Sequence, residues 1–361
     1  MIHKIPDKQR LPGVHGDGER VHVFDEPSKW AIRAALGAGR PLLVRGDPGL
    51  GKTQLAEAAA QALNRQLITC VVNARTEAGD LLFTVDSVRR LAEAQLCSLS
   101  QLQPDTSASQ GSQAAVDAVQ SARQRLNAEN FLVPGPIWWA LAPASAATQA
   151  EKAQTPHLIL PVPSGDGATP EQNRKYPARV LLIDEIDKAE SEVPNSLLEA
   201  LGARKFTIPG LPEPITVDDQ PPLIVITTNE ERALPDAFLR RCVVLHLTLP
   251  GQFDDRGRNP VLRNWLIERG RVHFSAEKMN DDVLGKAADA LLRGRYHAEK
   301  NALTPAPGQA EYLDLLRAVN SFYPQAADAK DQRKVIERVS QFLFQKHEHS
   351  PLSGEADGDS P

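Results

Sequence analysis

Eight consecutive residues carry the clearest chemistry in the chain: Gly46-Asp47-Pro48-Gly49-Leu50-Gly51-Lys52-Thr53. Glycines let backbone N–H groups converge on a phosphate, and a helix N-terminus adds partial positive charge there. In such a loop Lys52 reaches the β- and γ-phosphates and the Thr53 hydroxyl binds Mg²⁺. A glycine turn ahead of a helix also arises by chance, so the flanks decide. Pro41-Leu42-Leu43-Val44 is a short apolar run of the kind that makes a buried parallel strand. Residues 54–63 are alanine-rich, with Leu55, Ala58, Ala59 and Ala62 on one helical face. Strand, glycine loop and helix together predict a P-loop that takes a nucleoside triphosphate.

A second apolar run, Val180-Leu181-Leu182-Ile183, ends in adjacent carboxylates, Asp184 and Glu185. Ligands of open α/β sheets bind beyond the carboxyl ends of the strands. Behind a P-loop, Asp184 is expected to hold Mg²⁺ through water and Glu185 to polarise the attacking water. A further buried strand from Leu223 ends in Thr227, Thr228 and Asn229, and Asn229 is a candidate to orient water against the γ-phosphate. Two arginines, Arg240 and Arg241, then precede the strand Val243-Val244-Leu245-His246-Leu247. For His246 a core or strand-edge position is the expectation.

The elements that must position these residues are legible in outline. Residues 1–20 are polar and expected to be flexible, and Val21–Phe24 is a short extended segment. A helix follows, capped by Asp25 or Ser28, started with the help of Pro27 and ended near Gly37. After the P-loop helix, Leu67–Val72 reads as a second strand ending at Asn73, and the second half of 76–96 is helical, with Val88, Leu91 and Leu96 apolar. Residues 98–130 and 143–178 are polar and read as insertions. The first contains a helix over 113–126, and the second a candidate strand over 157–162. Between them, Trp138 and Trp139 lie on a proline-started helical turn, where packing is the expectation over partner binding. From Pro250 helical patterns alone recur, at 260–268, 281–292, 309–319 and 333–344. The expected domains are therefore a flexible 1–20, an α/β domain over 21–249, a helical domain over 250–346 and an acidic tail over 347–361.

Composition narrows the class. Hydrophobic residues make up 41% and charged residues 24%, as in ordinary globular proteins. A net charge of −5 gives no general reason to expect a nucleic-acid partner. Cys70, Cys97 and Cys242 are widely spaced, so neither a disulfide framework nor a zinc site is predicted. No apolar run approaches a membrane span and the N-terminus is no signal peptide, so a cytoplasmic location is expected.

The order of these motifs resembles the AAA+ ATPases, and the wording of Gly39–Ala56, Leu181–Ala189 and Thr227–Arg241 is similar to the MoxR branch. The resemblance covers 30–97, 131–142 and 179–249, and the helical region more loosely. It implies a P-loop core with a five-stranded parallel sheet, followed by a small all-helical lid. It also implies ATP and Mg²⁺ as cofactors, with nucleotide bound between protomers of a ring, expected to be a hexamer. By position it makes Lys52 and Thr53 the phosphate and Mg²⁺ residues, Asp184 the Mg²⁺ aspartate, Glu185 the base and Asn229 a sensor. Arg241 takes the place of an arginine finger acting in trans, with Arg240 as its fallback. Asn73 takes the place of a polar residue that holds the glutamate inactive.

Two departures from the family matter. Lys52 and Asp184 are separated by 132 positions (184 − 52), beyond the family's usual interval, and the two insertions account for the excess. The family's basic sensor in the lid is missing from residues 304–312, leaving Lys300 or Arg295 as substitutes. The leading functional expectation is a MoxR-like remodelling chaperone acting on a partner protein, in the family's habit one with a von Willebrand A-type domain. The alternatives are a nucleic-acid-directed motor of a restriction or defence system and a slow nucleotide-gated assembly switch. The insertions carry no basic run or aromatic–basic interleaving, against the former. Intact Glu185 and Asn229 argue against the latter. Base choice between ATP and GTP stays open.

Overall fold

The computed structural model describes residues 4–13, 20–101, 113–159, 176–195, 197, 205–218 and 220–344. Strands β1 (Lys8–Leu11) and β2 (Arg20–Val23) pair antiparallel, with Lys8 opposite Val23 and Leu11 opposite Arg20. Residues 8–11 fall in the stretch whose sequence predicts flexibility; backbone pairing with β2 and burial of Leu11 order them instead. Helix α1 (Glu26–Ala38) then leads to β3 (Leu42–Arg45), and α2 (Lys52–Ala62) follows the glycine loop.

Strand β4 (Gln66–Val71) comes next, then α3 (Ala78–Leu82), β5 (Phe83–Val85), α4 (Ser87–Gln101) and α5 (Gln113–Arg125). β6 (Leu132–Pro134) pairs antiparallel with β5 and is followed by α6 (Pro136–Leu141) and α7 (Pro143–Ala153). The remaining sheet region holds β7 (Arg179–Asp184), a small antiparallel pair β8 (Lys205–Phe206) and β9 (Ile215–Thr216), and β10 (Leu223–Thr228). It closes with α8 (Asp236–Leu239) and β11 (Val243–His246), and α9 (Pro260–His273), α10 (Asp281–Lys300), α11 (Gln309–Phe322) and α12 (Ala329–Phe344) complete the described chain.

The central sheet is five-stranded and parallel, in the order β11-β3-β10-β7-β4. Its middle explains its sequence. All six residues of β10 are buried, as are five of the six in β7, so both read as unbroken apolar runs rather than alternating ones. Pairing sets Ile183 of β7 against Ile226 of β10, and Val71 of β4 against Asp184. His246 is exposed on the edge strand β11, the second of its two expected positions.

The chain forms two compact units. One comprises Met1–Ile5, Glu26–Leu43 and Ala59–Leu245, the other Pro6–Asp25, Val44–Ala58 and His246–Pro361. In the first, the core joins the sheet to α6 and α7. Trp138 and Trp139 are each 1% exposed in that core, so they pack, and truncating either would cost about 3–5 kcal/mol. Residues 143–153 belong by sequence to a polar insertion, yet α7 is a core helix. Ala146, Ala147, Ala150 and Ala153 line its buried face, and buried Gln149 donates to the carbonyls of Glu129 and Leu132. Alanine and threonine hide that face from a hydropathy reading, because close packing of small side chains needs little apolar bulk.

Of the candidate strand over 157–162, residues 157–159 are not in a strand and the rest lies outside the described residues. Helix α4 matches the expected helical pattern, but Val88, Leu91 and Leu96 are 82%, 62% and 60% exposed. In the second unit, the core of α9–α12 contains fully buried Leu266, Leu291, Tyr312 and Leu316. Asn259 and Asn280 cap α9 and α10, their side chains accepting the N–H of Leu262 and Val283. The expected acidic tail lies outside the described residues, and among them no helix is long and apolar enough to cross a membrane.

Candidate nucleotide site

In the second unit, the glycine loop is built so that side chains would block it. Gly46 has φ +144°, and a Cβ there would lie 2.3 Å from the Leu247 carbonyl oxygen. Gly49 has φ +80°, and its Cβ would meet the Ala310 Cβ at 3.1 Å. Both positions favour glycine for conformation, and at Gly46 the backbone also leaves no room for a side chain. Lys52 opens α2, is 7% exposed, and donates from Nζ to the carbonyls of Gly46 (2.7 Å) and Asp47 (2.9 Å). A buried ammonium held by loop carbonyls at the head of a helix matches the charge of a polyphosphate. Pro48 and Leu50 complete the loop, and Thr53 is the second residue of α2.

The helical elements of the same unit also touch this loop. Arg295 of α10 donates to Asp47 Oδ2 (3.4 Å) and to the Pro307 carbonyl (3.1 Å), and pairs with Glu299 at 2.7 Å. Lys300, the other candidate basic residue, instead lies over the Tyr296 ring. On β2, His22 Nδ1 lies 3.5 Å from Gln54 Oε1, and burial pushes the His22 pKa down to about 4. His22 is therefore a neutral partner at physiological pH.

In the first unit, Asp184 ends β7 and Glu185 follows in the left-handed region at φ +61°. Thr227 of β10 ties both residues, its hydroxyl donating to Asp184 Oδ1 and accepting from the Glu185 N–H (2.9 Å). The Glu185 carboxylate pairs with Lys188 at 2.6 Å, and that hydrogen bond raises the Lys188 pKa. Asn73, expected to restrain Glu185, makes a local turn instead. Its Oδ1 accepts the N–H of Arg75, because the chain turns sharply at the end of β4. A surface pair such as Lys188–Glu185 contributes little and does not fix the Glu185 carboxylate firmly. Lys188→Met is accordingly expected to change steady-state phosphate release by less than about fivefold. A loss of a hundredfold would instead make Lys188 part of the machinery.

Asn229, directly after β10, is half-buried, and its N–H donates to Asp187 Oδ2 at 3.1 Å. Arg240 and Arg241 follow α8 and are both exposed, with the Arg240 carbonyl accepting from Arg40 at 3.4 Å. Sequence reading misses Lys188, Asp187 and Thr227 as contributors. All three sit inside the quoted motifs, and only their contacts distinguish them.

Within the second unit, the Lys52 ammonium and the Thr53 hydroxyl suit a triphosphate and its Mg²⁺; within the first unit, Asp184 offers a carboxylate, a hard oxygen ligand of the kind Mg²⁺ takes. Among the described residues no cluster of His, Cys, Asp and Glu forms a resident metal site. A nucleotide-bound Mg²⁺ needs none, since one or two carboxylates with substrate phosphates suffice.

Comparison with known proteins agrees with these motifs. The model of the AAA domain (dynein-related subfamily) matches residues 41–242, more than half of the chain. Among solved structures, the chain is similar to a mutant of Thermotoga maritima RuvB at 15% identity and TM-score 0.43. That match covers 87% of this chain and 68% of the other. A putative ATPase from Cytophaga hutchinsonii is also similar, at 15% identity and TM-score 0.32, covering 87% and 78%. No curated protein matches.

Proposed function

Because the chain belongs to the AAA domain family, dynein-related subfamily, we propose that it is an Mg²⁺-dependent ATPase that remodels a partner protein. The observation that carries the nucleotide reading is the glycine loop with Lys52 buried at the head of α2. Lys52 and Thr53 would hold the phosphates and the metal, with Asp184 as the second metal residue. The metal supplies charge neutralisation along the phosphates. Glu185 would take a proton from the attacking water, Asn229 would orient that water, and Arg241, or Arg240 in its place, would spread transition-state charge from a neighbouring protomer.

The MoxR-like reading, a hexameric ring acting on a client with a von Willebrand A-type domain, extends this proposal. Its support is the wording of the three motifs and the apolar side chains exposed on α4, which suit a protein partner better than a phosphate backbone. The contact of Arg295 with the phosphate loop supplies the helical region with a basic residue there, which favours turnover over a slow switch.

Titration with a fluorescent ATP analogue tests the assignment. Lys52→Ala is expected to weaken affinity roughly 30-fold or more, the scale of truncating one partner of a buried charge pair. Unchanged affinity would remove the loop as the nucleotide site.

A further inference from the structure

We infer that Asp187 is a positioning residue for Asn229, joining the turn that carries Glu185 to the loop that would read the γ-phosphate. The inference rests on the reading of Asn229 as the water-orienting residue. Asp187 lies on the short turn after β7 and is 2% exposed. Its Oδ2 accepts two backbone N–H groups, of Asn229 at 3.1 Å and of Glu231 at 2.9 Å. The N–H between them, of Glu230, donates to Thr228 Oγ1 at 2.9 Å. Three successive amides are thus fixed by side chains rather than by a strand partner.

The backbone shows why fixing is needed. Glu230 sits at φ +62°, and Glu185 sits at φ +61°. Glutamate rarely adopts this region, and such conformations persist only where surrounding bonds over-determine them. Thr227 supplies that restraint to Glu185, and Asp187 supplies it to the 229–231 loop. Removing the Asp187 carboxylate takes away the acceptor of the 229 and 231 amides and lets the loop relax. The Asn229 side chain would then lose its aim while the nucleotide-binding residues keep theirs. A displacement of about 1 Å in a positioned group costs on the order of 10²-fold in rate.

The test compares Asp187→Ala, Asp187→Ser and Asp187→Asn in the full chain. Asparagine keeps an oxygen able to accept both amides, whereas alanine has none and the serine hydroxyl is too short to reach them. The Ala and Ser variants are expected to lose about 10²-fold in kcat with KM for ATP and analogue affinity within about threefold of wild type, and the Asn variant is expected to restore kcat to within about fivefold. Because Asp187 acts through Asn229, Asp187→Ala added to Asn229→Ala should cause little further loss. Amide hydrogen exchange reads the same bonds without any turnover. The 229 and 231 amides should be protected in wild type and in Asp187→Asn, and should lose that protection in the Ala and Ser variants. Equal exchange in wild type and Asp187→Ala, wild-type kcat in both truncations, or fully additive losses in the double variant would each overturn the inference. Protected amides together with wild-type turnover by Asn229→Ala would instead remove the reading of Asn229 on which it rests.

Discussion

Arg241→Ala is expected to leave ATP binding near normal while steady-state turnover falls by roughly 10³-fold, the scale of an arginine finger. Arg241 is exposed and follows the short helix α8, as the proposed action on a neighbouring protomer would require. Mixing two inactive variants, Arg241→Ala and Lys52→Ala, discriminates action in trans from action in cis. A Lys52→Ala protomer still offers its arginine to an Arg241→Ala neighbour with an intact glycine loop. Once energy transfer between labelled protomers shows that subunits exchange, such interfaces should recover ATPase activity. Exchange without recovery at any ratio would refute trans action by Arg241, and the same mixture built on Arg240→Ala would decide between the two arginines.

Glu185→Gln should separate binding from chemistry just as sharply. The amide keeps the shape of the side chain and can still accept from Lys188, but it cannot take a proton from water. General-base removal costs about 10²- to 10⁴-fold, so phosphate release should fall by that factor with analogue affinity retained. Thr227 holds the residue through its backbone N–H, which the substitution does not touch. Loss is therefore expected in kcat and not in folding. Phosphate release near the wild-type rate would show that another group is the base.

The sequence shows some parts of this molecule plainly and hides others for physical reasons. Buried parallel strands must be apolar on both faces, so β7 and β10 stand out as runs, and glycine spacing marks the loop because a side chain would strike backbone at Gly46 and be strained and crowded at Gly49. The four helices after Pro250 are visible from their periodicity and caps. Other features depend on partners distant in the chain. Nothing local distinguishes Lys8–Leu11 from a flexible segment, because its order comes from pairing with β2. Alanine disguises α7 as polar sequence, and the contact of Arg295 with Asp47 spans 248 positions. Asp187 is visible only as one more acid behind Asp184 and Glu185, since its role lies in which amides it accepts.

The left-handed glutamates have a consequence for how this protein would respond to selection. Each such conformation costs roughly 1–3 kcal/mol in a residue with a side chain, and glycine would relieve much of that strain at Glu185 or Glu230. A laboratory screen that rewards only thermal tolerance or soluble yield would thus gain from erasing glutamate there, and at position 185 the proposed base would be lost with it. The two positions would record the compromise directly. Glutamate lost under such a screen but retained under one that also demands turnover would mark a side-chain role that outweighs the backbone's preference, at 230 as well as at 185.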